Sequence, residues 1–525
     1  MDNITVIKNF MADNQIKYLL VNSTNKFLVE YNTLQENSRY KITNFSGSTG
    51  EALVTPDTIF LFVDGRYHIQ ADLEVDHEIV TVVKLTGTQS QLNEIIARVP
   101  QDETLGIFSQ KVSLNTYNLL SSQRKTKLLP IDPLDMEISN KNQNQDDITL
   151  DTSLTGITTE NKIKKITQNL KDDESIYLTD LDEVSYLYNT RNFSQNFSAK
   201  IKARAIIKKD CNSLYKCKDF EKLEQDLKNI KGTIFIDKSS INAYDYALIK
   251  DKAKILTSNS VKEMKAQKND TELEHLKSAF ARTDKAVKAT REYILNNDNI
   301  SEYDIAKHLE EEFYKNGAKG LSFKSIVAKD KNSALAHYSK SSKDEIVTDG
   351  SLVLIDCGGY FEGGLATDIT RVFVKGEPTK LQKEIYTLVL KAFLNAYNYA
   401  KTHIERPFTG FDVDSVVQKL FEENDTQGFV FNHGLGHGIG INVHEFPPRL
   451  SKHETSKVEL KNGMCFSIEP GLHKEGFFGV RLENSCYFKD NNIHSFVKMN
   501  YEKKLIDFSM LTEQEKIWLE EFEVL

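Results

Sequence analysis

Along the chain, short apolar runs bounded by polar or turn residues alternate with stretches whose apolar positions recur at i, i+3 and i+4, the signatures of strands and of amphipathic helices. In residues 1–138 the runs IKYLLV (16–21), KFLVEYN (26–32), EALVT (51–55) and TIFLFVDGRY (58–67) predict strands separated by helices, an α/β domain. The segment SNKNQNQDDITLDTS (139–153) is polar and rich in Asn and Asp, cannot bury a core, and predicts a linker. A second unit, 155–262, begins with TTENKIKKITQNLKDD, which predicts a capped helix, and continues through IYLTDLDEVSYLYN, AKIKARAIIK and GTIFIDKSS. Its SIYLTDLDEVSYLYN loosely echoes IKYLLVNSTNKFLVEY of the first unit, which suggests a duplicated domain. Residues 264–295 predict one long amphipathic helix opening a third unit, 263–525.

Length agrees with this division, since 525 residues at roughly 150 per domain give three or four cores. The formal charge of −9, with Lys and Arg interleaved among Asp and Glu, leaves no basic stripe for nucleic acid. Five scattered cysteines without a CxxC pair predict mostly buried free thiols in a reducing compartment. Neither a signal-like apolar segment nor a run of roughly 18 apolar residues is present, so a cytoplasmic protein with no membrane partner is expected.

Candidate chemistry gathers in the last 200 residues, where ionisable groups sit inside apolar or Gly-rich runs at a cost in desolvation. In SLVLIDCGGYFEGGLATDITRVFV one strand carries Asp356 and a second carries Asp368, and a hairpin would bring both to one place. FNHGLGHGIGINVHEFPP holds His433, His437 and His444 among glycines. Glu469 ends a strand in NGMCFSIEPGL, and Glu483 sits within GVRLENSCYF with Arg481 on the same strand face. With Asp356, Asp368, His437, Glu469 and Glu483 gathered together, the four carboxylates would repel one another unless cations were present. Mostly oxygen ligands with one imidazole suit a pair of divalent ions, Mn²⁺ foremost and Co²⁺, Zn²⁺ or Fe²⁺ besides, sharing a water of lowered pKa. His433 fits either a place behind the ligands or a core position; His453 and His473 are expected at the surface, Cys357 in the core, and His337 of SALAHYS in a structural role.

Taken in order, these segments resemble the pita-bread metallopeptidases, the family of aminopeptidase P, prolidase and methionine aminopeptidase. The upstream segments GSTGEALVTPDTIFLFVDGRYHIQADLEV and TGITTENKIKKI and the ending KKLIDFSMLTEQEKIWLEEF are similar to its three-domain, cytosolic aminopeptidase P members. The resemblance implies two creatinase-like α/β domains before an α+β pita-bread domain, and a homodimer. It implies Asp368 and Glu483 as bridging ligands of two metals, with Asp356, His437 and Glu469 completing the set. It makes His337 and His444 contacts to substrate and to the tetrahedral intermediate, which overturns the structural reading of His337. Arg66 corresponds to an arginine that reaches substrate from the first domain; with His433, His437 and Arg481 these residues form the expected substrate-binding set. The implied reaction is attack of a metal-bridging hydroxide on the bond between an N-terminal residue and proline, with Glu469 moving the proton. A dedicated site is needed because the X-Pro amide lacks the N–H that ordinary aminopeptidases bind. Prolidase, restricted to dipeptides, and a catalytically dead peptide-binding module of the same fold are the alternatives; retention of all five ligands disfavours the dead module, and creatinase with it. The sequence departs from the family in the spacing from Asp356 to Asp368, one residue longer than usual, so the hairpin is expected to hold an extra residue or bulge. The interval of seven from His437 to His444 matches shorter bacterial members.

Overall fold

The computed structural model describes residues 2–522 apart from 87–88, 136–145, 257–259, 404–407 and 491. The expected boundary at 138 and residues 139–145 of the expected linker lie outside the described residues. The chain divides into two compact units. One comprises Met1–Ile148, Thr159–Thr190 and Lys200–Ser260, and the other Thr149–Thr158, Arg191–Ala199 and Val261–Leu525.

Among the described residues, the first unit holds a six-stranded and a five-stranded sheet. In the first sheet Tyr18–Val21 pairs antiparallel with Glu51–Val54 and parallel with Thr104–Phe108, with Ile59–Val63 and Lys125–Leu129 outside these and Val80–Lys84 at one edge. In the second, Glu174–Leu178 pairs antiparallel with Ala203–Lys208 and parallel with Thr233–Ile236, flanked by Asn212–Lys216 and Ala253–Ile255. Five strands thus repeat in the same order and sense, the duplication that the sequence echo suggested. Leu19 and Val21 join one core and Leu20 the other, so the central strand is buried on both faces and reads as a continuous apolar run.

The expected strand at 26–32 does not form. Lys26 and Phe27 make a turn in which the amides of Phe27 and Leu28 bond to the Asn25 side chain and carbonyl, and Leu28 has φ +57°. The short polar side chain gives the backbone an alternative to a ladder. Phe27 instead buries against Leu181, Cys217 and Phe220.

In the second unit, the expected helix 264–295 is two helices, Ser260–Ala266 and Asp270–Asn296. Asn269 caps the second in a reciprocal capping box with Glu272, while the Lys268 amide bonds to Gly463 O at 2.8 Å. The sheet that carries the candidate site runs Ile326–Lys329, Leu352–Cys357, Ile369–Val374, Glu483–Lys489, Cys465–Ile468, Gly436–Gly438, Glu445–Leu450, with Asn492–Ser495 beside Glu483–Lys489. Leu352, Leu354, Val372 and Val374 pack in one core with Ile385, Val389 and Phe393 of the helix Lys380–Thr402. Of the cysteines, Cys211 is exposed and the other four are buried, all free.

Candidate active site

Strand pairing, more than any single motif, assembles the site. Leu352–Cys357 and Ile369–Val374 form an unshifted antiparallel ladder from Leu352↔Val374 to Cys357↔Ile369, so Asp356 faces Thr370 and Asp368 stands one residue before its strand. The ladder itself holds no bulge, and the extra residue is taken up in the connection 358–368. Thr370 pairs with Glu483 in the next strand, and Ile468, just before Glu469, pairs with Asn484. Gly438 pairs with Phe466, which brings His437 in from the far side. Glu483 opens its strand instead of lying within it: Leu482 separates it from the hairpin strand Phe478–Arg481. With a side-chain period of two, Asp356 continues the face of Leu352 and Leu354, where an acidic patch replaces the apolar core.

The distances are short. His437 Nε2 lies 3.5 Å from both Asp368 Oδ2 and Glu469 Oε1. Ligand atoms of Asp368, His437 and Glu483 lie within 4.8 Å of one another. Arg481 donates to Asp356 Oδ2 at 2.5 Å and lies 3.9 Å from Glu469 Oε2. Thr370 donates to Glu483 Oε2 at 2.8 Å, and the Ser467 hydroxyl donates to Glu469 Oε1 and accepts from the His437 amide. Thr370 and Ser467 carry no signal in the sequence, because a hydroxyl among apolar strand residues is common.

Electrostatics make this arrangement expensive on its own. Burial, followed by the Glu483, Asp356 and Glu469 carboxylates, pushes the Asp368 carboxyl well above the usual range. Burial and then Glu469 and Asp356 do the same to Glu483. Burial opposes the Arg481 charge, but Asp356 and then Glu469 outweigh it and hold the guanidinium protonated. Asp356 Oδ1, Asp368 Oδ1 and Glu483 Oε1 are buried without a hydrogen-bond partner among the described residues. Buried carboxylate oxygens left over after Arg481 and Thr370 have taken their partners fit divalent cations.

The remaining expected residues divide. His444 is half-buried, its ring edge-on to His437 at 4.4 Å between centroids. His433 packs against Phe431 and His473, at 4.9 and 5.5 Å. His473 is not at the surface: it is 2% exposed, bonds Ser333 O through Nδ1, and is pushed down to about 3 by burial and by Arg481. Its alternating place in a short hairpin strand could not reveal that the Ser333 segment covers it. His453 is exposed as expected, and Cys357 is buried. His337 follows the 3₁₀ turn Asp330–Ala334 and is half-buried. Its loop is anchored by buried Glu302, which accepts from the Lys329 and Ser342 amides, Asn332 and the Tyr338 hydroxyl. Arg66 lies in the first unit, half-buried and paired with both oxygens of Asp64 at 2.8 and 2.9 Å.

Residues 274–490 match the model of metallopeptidase family M24, and residues 4–138 match the creatinase/prolidase N-terminal domain. The chain thus holds a metallopeptidase family M24 domain behind a creatinase/prolidase N-terminal domain. It is 26% identical to a probable Xaa-Pro aminopeptidase P of Laccaria bicolor, over 99% of this chain and 89% of the relative. It is 25% identical to Xaa-Pro aminopeptidase 1 of Dictyostelium discoideum, over 97% and 90%. The structure of X-prolyl aminopeptidase from Caenorhabditis elegans, described as a cytosolic enzyme with a dinuclear active site, superposes with a TM-score of 0.86 at 22% identity, covering 96% of this chain and 90% of that one. The M24 architecture is therefore that of a creatinase-type N-terminal domain joined to a pita-bread catalytic domain.

Proposed function

We propose that the protein is an Xaa-Pro aminopeptidase that releases the N-terminal residue from peptides with proline in second position. The observation that supports this most directly is the convergence of four carboxylates and one imidazole from adjacent strands, three of their buried oxygens having no hydrogen-bond partner among the described residues. Asp356, Asp368, His437, Glu469 and Glu483 are read as the ligands of two divalent ions, Mn²⁺ by preference. When bound, such ions lower the pKa of water and polarise a carbonyl. Glu469, the least buried of the four carboxylates, takes the proton of the attacking water and passes it to the proline nitrogen as the C–N bond breaks. His444 donates to the oxyanion that forms on the scissile carbonyl. Arg481 fixes the Asp356 carboxylate and offsets part of the negative charge. His337, His433, His437 and Arg66 are read as substrate contacts, the last from the first of two duplicated N-terminal domains (1–138 and 155–262) that precede the catalytic domain 263–525.

A cytoplasmic homodimer acting on free peptides is the setting this reading implies; no described helix is long and apolar enough to cross a membrane. Release of the N-terminal residue from Arg-Pro-Pro, measured with chelated and Mn²⁺-restored enzyme beside Gly-Pro, is the test. Metal-dependent cleavage of the tripeptide is expected. Cleavage of the dipeptide alone would make the protein a prolidase, and no cleavage with metal bound would make it a binding module.

A further inference from the structure

His437 and His444 stand at the two ends of one loop, and that loop is folded around a buried charge. Gly438 pairs with Glu445 across a ladder whose register shifts after His437. The Glu445 side chain turns inward to two ammonium groups, Lys265 at 2.9 Å from Oε2 and Lys268 on Oε1, all three side chains at most 3% exposed. Gly440 lies flat against the carboxylate: a Cβ there would come within 2.1 Å of Oε2 and 2.5 Å of Oε1. Both lysines come from the place where the expected long helix breaks, Lys265 in the last turn of Ser260–Ala266 and Lys268 just beyond it. The break is itself strapped down by the bridge Gln267↔Met464 and the bond from the Lys268 amide to Gly463.

A fully buried ion triad is a poor way to gain stability, since apolar residues of the same volume often serve as well or better, and in some proteins such a group serves instead to fix geometry. Glu445 directly follows His444, so holding its carboxylate from two sides fixes the backbone that aims the His444 ring. The geometry points to Glu445, clamped by Lys265 and Lys268, as the positioning group that sets His444 against the reacting carbonyl. This rests on the reading of His444 as the oxyanion donor.

If so, loosening the clamp removes an interaction made only in the transition state, lowering kcat and kcat/KM together and leaving KM in place. The test uses the metal-loaded full-length enzyme and the variants His444→Gln, Glu445→Gln, Lys268→Met and Lys268→Arg, together with the double variants His444→Gln/Glu445→Gln and His444→Gln/Lys268→Met. His444→Gln is expected to lower kcat about 100-fold. Glu445→Gln and Lys268→Met are expected to lower it on the order of 10-fold at unchanged KM and metal content, with Lys268→Arg near wild type. In the double variants kcat should fall no further than in His444→Gln alone, because the clamp has nothing left to aim. Losses that multiply in the doubles, a raised KM, or reduced metal content would overturn the inference. A kcat unchanged in His444→Gln would instead overturn the role of His444. Should Glu445→Gln fail to fold, by thermal melting, the Lys268 cycle decides alone.

Discussion

Asp368 is the residue on which the proposed chemistry depends most. It touches His437 and is pressed by three other carboxylates, so Asp368→Ala should abolish turnover and lower metal stoichiometry, measured by elemental analysis of the purified enzyme beside kcat. Retained activity with full metal occupancy would sink the ligand assignment. His473 makes a prediction independent of metal. Its folded pKa, about 3, lies below the ordinary 6.5, so the unfolded chain takes up a proton that the folded protein refuses. The stability this contributes is complete above pH 6.5 and is lost as pH falls from there towards 3, at up to about 1.4 kcal/mol per unit. Urea midpoints of wild type and His473→Gln between pH 7 and 4.5 should therefore converge on acidification; parallel curves would refute the assignment. That His473 is buried was not legible in its residue type or its period, because a histidine in a two-faced strand is placed by whatever packs over it.

At the scale of elements, the apolar runs predicted most strands, because a short run bounded by turn residues has few alternatives. The failures have local causes. Asn25 diverted KFLVEYN into a turn, and Asn269 with Glu272 divided a helix whose apolar periodicity continues across the break. Asn269 also donates to Thr155 O at 2.9 Å, tying the segment Thr149–Thr158 to the start of the helix Asp270–Asn296. Asn269→Ala should cost about 1–2 kcal/mol, read as a lower urea midpoint at unchanged slope. An unchanged midpoint would mean that the cap is dispensable.

Across the whole catalytic unit the site opposes folding until its charge is balanced. Asp368 and Glu483 hold protons more tightly folded than unfolded, where their ordinary values are 3.8 and 4.5. The cost of ionising them is therefore fully present once pH exceeds their folded pKa values and is relieved as pH falls through those values towards the ordinary ones. Divalent ions bind the folded, ionised site and should reverse the cost. Mn²⁺ added to chelated protein at pH 7.5 should raise Tm by several degrees, with a smaller rise at pH 5, where protons compete; scanning calorimetry reads both. An equal rise at the two pH values would exclude these carboxylates as the binding groups.

The sequence alone singled out which groups to expect together: Asp356, Asp368, His437, Glu469 and Glu483 stand in apolar or Gly-rich runs, where ionisable side chains are costly, and their joint appearance in one domain pointed to a shared site. Two apolar runs joined by a Gly-rich turn made a hairpin one way to bring Asp356 and Asp368 together, and the antiparallel pairing of Leu352–Cys357 with Ile369–Val374 realises it. Only tertiary structure decided that Glu445 turns inward onto Lys265 and Lys268, that Ser333 covers His473, and that Thr149–Thr158 and Arg191–Ala199 join the second unit. These depend on contacts between residues far apart in the chain, set by packing, and no local pattern of apolar and polar positions encodes which distant side chain will neutralise a given charge.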